Sequence, residues 1–128
     1  EAGINACCGG ILNLGETLRQ RIEFAFALRD LDPEIVPINI LNPRPGTPLE
    51  NVPPADPWEM IRTIAVFRLV LPKPVFKLAG GREASLGPLQ AEAVRAGARG
   101  AIVGGYLTTA GGDPAADLRM FAALGLSC

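Results

Sequence analysis

A short apolar run followed by a helical stretch recurs four times along this chain, the runs beginning near residues 4, 35, 75 and 101. Alternation of this kind means parallel strands joined by right-handed crossovers, which excludes all-helical and antiparallel architectures. The first run passes through Cys7 and Cys8 into glycines 9, 10 and 15, and a helical pattern follows from about Glu16 to Leu31. Leu18, Ile22, Ala25 and Leu28 mark its apolar face, with Arg19, Gln20, Arg21 and Glu23 opposite, until Asp32-Pro33 stops it. The second run, Ile35 to Leu41, is β-branched and bounded by prolines, and suits a strand covered on both faces.

A proline-rich connection from Asn42 to Ala55 then excludes helix and strand, and Asp56-Pro57 reads as an N-cap with proline at the first helical position. That helix ends near Pro72, and a third strand, Pro74 to Ala79, closes on Gly80-Gly81-Arg82-Glu83. A third helix is expected over roughly Pro88 to Ala96, and a fourth strand over Ala101 to Gly105. Asp113-Pro114 repeats the cap-plus-proline start, with Leu118, Phe121 and Ala122 on one face and Gly125 as the stop. Four βα units are half of a (β/α)8 barrel, which needs roughly 250 residues. They also suffice for a small open sheet, which would carry helices on both faces.

Composition narrows the chemistry. The 128 residues carry a net charge of −1 without a basic run, so no electrostatic footprint for nucleic acid exists. No apolar stretch reaches the roughly 20 residues of a membrane-spanning helix. Three cysteines without paired spacing point to a reducing compartment, the cytoplasm, rather than a disulfide scaffold. The absence of histidine removes Ser-His-Asp triads, Cys-His dyads and the usual zinc sites. The first residue is Glu1, so the chain is expected to be a piece of a longer protein.

The strand ends form an ordered set, Cys-x-Gly-Gly-Ile-x-x-Leu-Gly-Glu from Cys7, Pro-Ile-Asn at 37–39, Gly-Thr-Pro at 46–48, Gly-Arg-Glu at 81–83 and Thr108-Thr109, and Arg-Thr-Ile-Ala-Val at 62–66 lies on the helix between them. Together they resemble the C-terminal half of the biotin synthases, a family of radical S-adenosylmethionine enzymes, over essentially the whole chain. Residues from about 37 to 128 resemble the domain shared by biotin and thiamin synthesis enzymes. The resemblance implies a TIM-type (β/α)8 barrel of which this chain supplies strands five to eight. It implies sulfur insertion into dethiobiotin, with S-adenosylmethionine cleaved on a 4Fe-4S cluster and a 2Fe-2S cluster donating the sulfur. The 4Fe-4S ligands, a Cys-x-x-x-Cys-x-x-Cys loop, do not occur in these residues and would come from the N-terminal half of the barrel. The piece alone is therefore expected to be inactive, and the full-length protein to be a homodimer.

Residue by residue, the resemblance matches Cys7 and Arg82 to two of the four 2Fe-2S ligands, the cysteine of strand five and the arginine of strand seven. Asn39 matches a residue that bonds the ureido ring of dethiobiotin, and Thr108 and Thr109 a polar turn near the substrate carboxylate. Gly9, Gly10 and Ile11 match the adenine side of the S-adenosylmethionine site. Local readings stand beside these. Arg82 could form an ion pair with Glu83, Asn39 could cap a buried loop, Ile11 could pack under its own turn, and Thr108-Thr109 could be a simple turn. Cys8 departs from the serine or other small residue of the family, and strand alternation sets it on the face opposite Cys7. Two rivals remain: another radical barrel sharing the domain, such as the tyrosine lyase of thiamin synthesis or a hydrogenase-maturation enzyme, and a non-catalytic half-barrel that docks on a partner.

Overall fold

Parallel pairing places the strands side by side in chain order, β1-β2-β3-β4. The structure is a computed structural model that describes residues 3–106 and 111–126. Its elements are β1 (Gly10–Leu12), α1 (Leu18–Leu31), β2 (Ile35–Ile40), α2 (Pro57–Val70), β3 (Val75–Leu78), α3 (Arg82–Leu86), α4 (Gln90–Arg95), β4 (Gly100–Ala101) and α5 (Pro114–Ala123), with a 3-10 turn at Gly87–Leu89. Right-handed crossovers between strands that never reverse their order put every helix on the same face of the sheet. An open doubly wound sheet needs a reversal of strand order to cover both faces, and none occurs here.

Burial follows that asymmetry. Val36, Ile38 and Ile40 of β2 and Phe76 and Leu78 of β3 are buried beneath the helices. Their alternates Ile35, Pro37, Asn39, Val75 and Lys77 stand on the other face and keep part of their surface exposed. The expected double cover for the second strand is thus supplied on one side only by this chain. The arrangement is a four-stranded parallel sheet with helices on one side, compatible with half of a barrel. Among the described residues no helix is long and apolar enough to cross a membrane.

Local signals account for most boundaries. Thr17 caps α1 through a reciprocal pair with Gln20, and Asp32 ends it in the left-handed conformation. Asp56 and Asp113 cap α2 and α5, each followed by proline at the first position, as the cap-plus-proline pattern anticipates. Under the sheet, Phe24 and Phe67 meet edge to face at 5.9 Å. At the N-terminal end of β3, Arg68 stacks 3.9 Å over the Phe76 ring while donating to the carbonyls of Leu71, Pro74 and Gly97.

Four expectations change. The opening strand does not run from residue 4, because only an isolated bridge at Cys7–Ile35 precedes Gly10. The cause is Pro37. Ile35 donates to Ala6 O and Cys8 to Ile35 O, and in a parallel ladder the next donor toward the first strand is residue 37, which has no N–H. The fourth strand shortens to Gly100–Ala101. Gly-Arg-Glu opens a helix instead of merely closing a strand, so the third helical region splits into α3, the 3-10 turn and α4. The apolar faces of α1 and α5 hold at Ala25, Leu28 and Phe121 but change at their other positions. Arg21, Ala25 and Leu28 are buried in α1 while Leu18 and Ile22 are exposed, and in α5 Asp117 and Phe121 are buried while Leu118 and Ala122 are exposed.

Gly81 joins β3 to α3 at φ +82°, and an added Cβ would lie 1.9 Å from Ile40 O, whereas at Gly87 (φ +49°) it would meet open space. Gly87→Ala is expected to cost about 1–2 kcal/mol from the left-handed backbone alone, and Gly81→Ala about 3–5 kcal/mol once the clash is added. Urea unfolding of the full-length protein measures both, and equal costs would contradict the close approach at Gly81.

Candidate functional site at the open sheet face

The half of the sheet left uncovered by helices carries the chemically distinctive side chains. Cys7 is paired with Ile35 at the isolated bridge, Ile11 with Asn39, and Pro37 with Lys77. Residues paired across adjacent strands share a face, so Cys7, Ile11, Asn39 and Lys77 all stand on the open side. Cys7 is exposed and free, while Cys8 turns to the other face and packs against the core. The separation of Cys7 from Cys8 therefore follows the expected alternation.

Asn39, in β2, lies on this face and links β1 to the turn that follows β3. Its Nδ2 donates to Gly10 O at 3.2 Å, and its Oδ1 accepts from Gly80 N at 3.0 Å. A primary amide has a second donor hydrogen and a second lone pair, so each side of the Asn39 amide retains one position for a ligand. Ile11, 49% exposed, stands beside it in register. The neighbouring glycines have reasons internal to the fold. A Cβ on Gly9 would lie 2.1 Å from Pro37 O, and one on Gly10 would lie 2.8 Å from the Phe24 ring. The close approach of the β2 backbone accounts for Gly9 and that of the Phe24 ring for Gly10, whatever binds nearby.

Arg82 does not join Cys7. It sits beyond the end of β3, at the first position of α3, and is 1% exposed. Its guanidinium grips Asp117 of α5 through Nη1–Oδ1 at 3.0 Å and Nη2–Oδ2 at 2.5 Å. Nη2 also donates to Ile102 O at 3.0 Å and lies 3.1 Å from Glu83 Oε1, and Nη1 donates to Gln90 Oε1. Burial opposes the charge, but the Asp117 hydrogen bonds and the nearby Glu83 carboxylate outweigh it and hold the Arg82 pKa above its ordinary value. A guanidinium kept protonated has no lone pair for a metal, and its donors here are already engaged. Arg82, which the resemblance matches to a 2Fe-2S ligand alongside Cys7, lies among the described residues in the helix-side interior, locking α3 to α5.

Glu83 extends the same network. It accepts from Tyr106 Oη at 3.0 Å and from Gly112 N at 3.2 Å, on either side of residues 107–110. Burial, and then the adjacent Glu83 carboxylate, push the Tyr106 phenol up, so it remains a donor to Glu83. Thr108 and Thr109 lie outside the described residues, as does Cys128.

Sequence reasoning missed Lys77. It occupies mid-β3, half-buried, and pairs with no carboxylate among the described residues. The signal was its position one residue after Phe76 in an apolar run, which alternation assigns to the face opposite the core. The described residues contain no group of three or more His, Cys, Asp or Glu able to hold a metal ion. A free thiol suits an iron–sulfur cluster, so the residues present fit part of a ligand set and not a whole one.

Comparison with known proteins adds the decisive observation. The family model for the Biotin and Thiamin Synthesis associated domain matches residues 37–127. The chain belongs to this domain family. Members of wider proteins resemble it over nearly its full length. A biotin synthase of Acidothermus cellulolyticus is 54% identical across 97% of the chain, one of Carboxydothermus hydrogenoformans 51% across 98%, and one of Gloeothece citriformis 50% across 98%. The chain spans only 37%, 39% and 35% of those relatives. As a biotin and thiamin synthesis-associated domain, it presents Asn39 and Lys77 from within the matched segment, while Cys7 lies ahead of that segment, before β1.

Asp117→Ala would leave the buried Arg82 cation without its bidentate partner, and is expected to destabilise the full-length protein by about 3–5 kcal/mol. Urea unfolding reads this, and a loss below about 1 kcal/mol, the range of a surface pair, would contradict the buried lock.

Proposed function

We propose that the chain is the C-terminal part of a biotin synthase, supplying strands five to eight of a (β/α)8 barrel whose lumen is lined by the open sheet face. The observation that carries this reading is the shared orientation of Cys7, Asn39 and Lys77 on an uncovered parallel sheet, in a chain 54% identical to a biotin synthase. A free thiol, a two-sided amide and an ammonium group converging on one cavity suit a cluster and a polar ring substrate. Among half-barrel readings, a purely structural module has no need for this set.

The roles divide by face. Cys7 would hold one iron of a 2Fe-2S cluster, with the remaining thiolates supplied from outside this chain. When bound, that cluster supplies the sulfur atom that dethiobiotin gains. The basic side chain of strand seven that faces the lumen is Lys77, and it takes the place first assigned to Arg82. An ammonium in this position would offer the cluster a compact positive charge, lacking the planar fork of a guanidinium. Asn39 would bond the ureido ring of dethiobiotin through the amide positions its backbone partners leave free. Gly9, Gly10 and Ile11 would border the adenine of S-adenosylmethionine, Ile11 by contact and the glycines by keeping the backbone close. Thr108 and Thr109 would serve the substrate carboxylate. The 4Fe-4S cluster would be bound by the N-terminal half, the working protein would be a cytoplasmic homodimer, and the 128-residue piece would be inactive alone.

Cys7→Ala in the full-length protein is expected to remove the visible absorption of the 2Fe-2S cluster and leave that of the 4Fe-4S cluster, and an unchanged spectrum overturns the reading. Asn39→Asp keeps the acceptor for Gly80 N–H and loses the amide donors. It should weaken dethiobiotin binding about tenfold, the worth of one or two hydrogen bonds, while S-adenosylmethionine binds as before. Equal weakening of both ligands in calorimetry would remove Asn39 from the substrate site.

A further inference from the structure

The outer surface of the helix layer carries a run of large apolar side chains that the core does not use. On α1, Leu18, Ile22 and Phe26 follow one another at four-residue spacing, which keeps them on one side of the helix. On α2, Trp58, Arg62, Val66 and Leu69 follow at steps of four, four and three, again on one side. The two stripes meet where Leu18, Ile22, Arg62 and Val66 line a groove of about 320 Å³ between the helices. The six apolar members are between 38% and 82% exposed. Single exposed leucines need no explanation, but a contiguous patch does. This one leaves on the order of 600 Å² of apolar side chain in water, most of the about 800 Å² that a stable interface buries on each partner.

Closing a barrel would not cover the patch. Barrel helices stand side by side in a ring around the sheet, and the groove opens on the outside of that ring. An added half-barrel would meet α1 along Gln20 and Phe24, which border β1. Charge points to the occupant instead. Glu59 and Arg62 stand one turn apart on α2, both at the groove. Arg62 is exposed and joins no ion pair among the described residues. Glu59 gives Oε1 to Arg21 at 2.5 Å, and its side chain remains 45% exposed. A two-fold axis through the patch sets Arg62 of each copy against Glu59 of the other, so one rotation makes two identical pairs. A partner of one dominant charge would gain one attraction here and suffer one repulsion.

We propose that the outer α1–α2 groove is the contact between two copies of the full-length protein, with Leu18, Ile22 and Val66 at its centre and reciprocal Arg62–Glu59 pairs beside them. The proposal rests on the reading of the protein as a homodimer and adds the surface that forms it. The contact lies on the helix side, away from the sheet face that carries Cys7, Asn39 and Lys77, so each copy keeps its own site.

Sedimentation velocity on the full-length protein measures the dimer dissociation constant. Ile22→Asp sets a carboxylate into the apolar contact and is expected to raise that constant about a hundredfold. Arg62→Glu places like charges opposite each other and is expected to raise it about tenfold. Circular dichroism checks that each variant is folded, and if Ile22→Asp does not fold, Arg62→Glu decides alone. A dimer as tight as the parent's in every folded variant overturns the proposal. A lowered unfolding temperature would then assign the patch to another segment of the same chain, and an unchanged one to solvent or a different protein. A parent protein that stays monomeric at every concentration overturns the homodimer reading and the proposal with it, so the two failures are distinct.

Discussion

A parallel sheet whose strands lie in chain order can be covered by its own crossovers on one face only. Everything distinctive about this domain follows from that geometry. The helices bury Val36, Ile38, Phe76 and Leu78 into one continuous core, and the alternates Pro37, Asn39 and Lys77 are left facing away from it. In a parallel architecture that second face is normally buried too, and here the chain's own helices leave it uncovered. The residues that give the domain its chemical character stand on that face because the strand period of two allows no other choice.

Two buried charges organise the helix layer. Arg82 joins α3 to α5 through Asp117, and Arg21 joins α1 to α2 through Glu59. Both occupy positions where an isolated ion would be costly, and both are satisfied by several acceptors. No buried polar side-chain atom among the described residues lacks a partner. These links tie together the loops at the C-terminal ends of the strands, the rim at which parallel α/β proteins place their sites.

The strand order, the caps at Asp56 and Asp113 and the opposite orientation of Cys7 and Cys8 were legible because each depends on local chemistry or on a period of two. The helix faces were less so. Arg21 and Asp117 lie at core-facing spacing with Ala25, Leu28 and Phe121, yet a reading by polarity puts a charged residue outside and sets Ile22 and Leu118 inside in its stead. Partners 35 to 38 residues distant in the chain made burial possible, and no local pattern records them. The burial of Arg82 was hidden for the same reason: an arginine beside Gly80-Gly81 looks accessible until Asp117 closes over it. The open-face position of Lys77 was legible in principle, since it alternates with Phe76 and Leu78.

Pro37 withholds the one amide that would have carried the ladder from the Cys7 bridge to Gly10. The gap falls after Cys8, since the two bonds of Ile35, to Ala6 O and from Cys8 N, bracket Cys7 and hold its backbone to the sheet. The exposed thiol therefore keeps a fixed footing, and whatever slack the first strand has lies between it and Gly10.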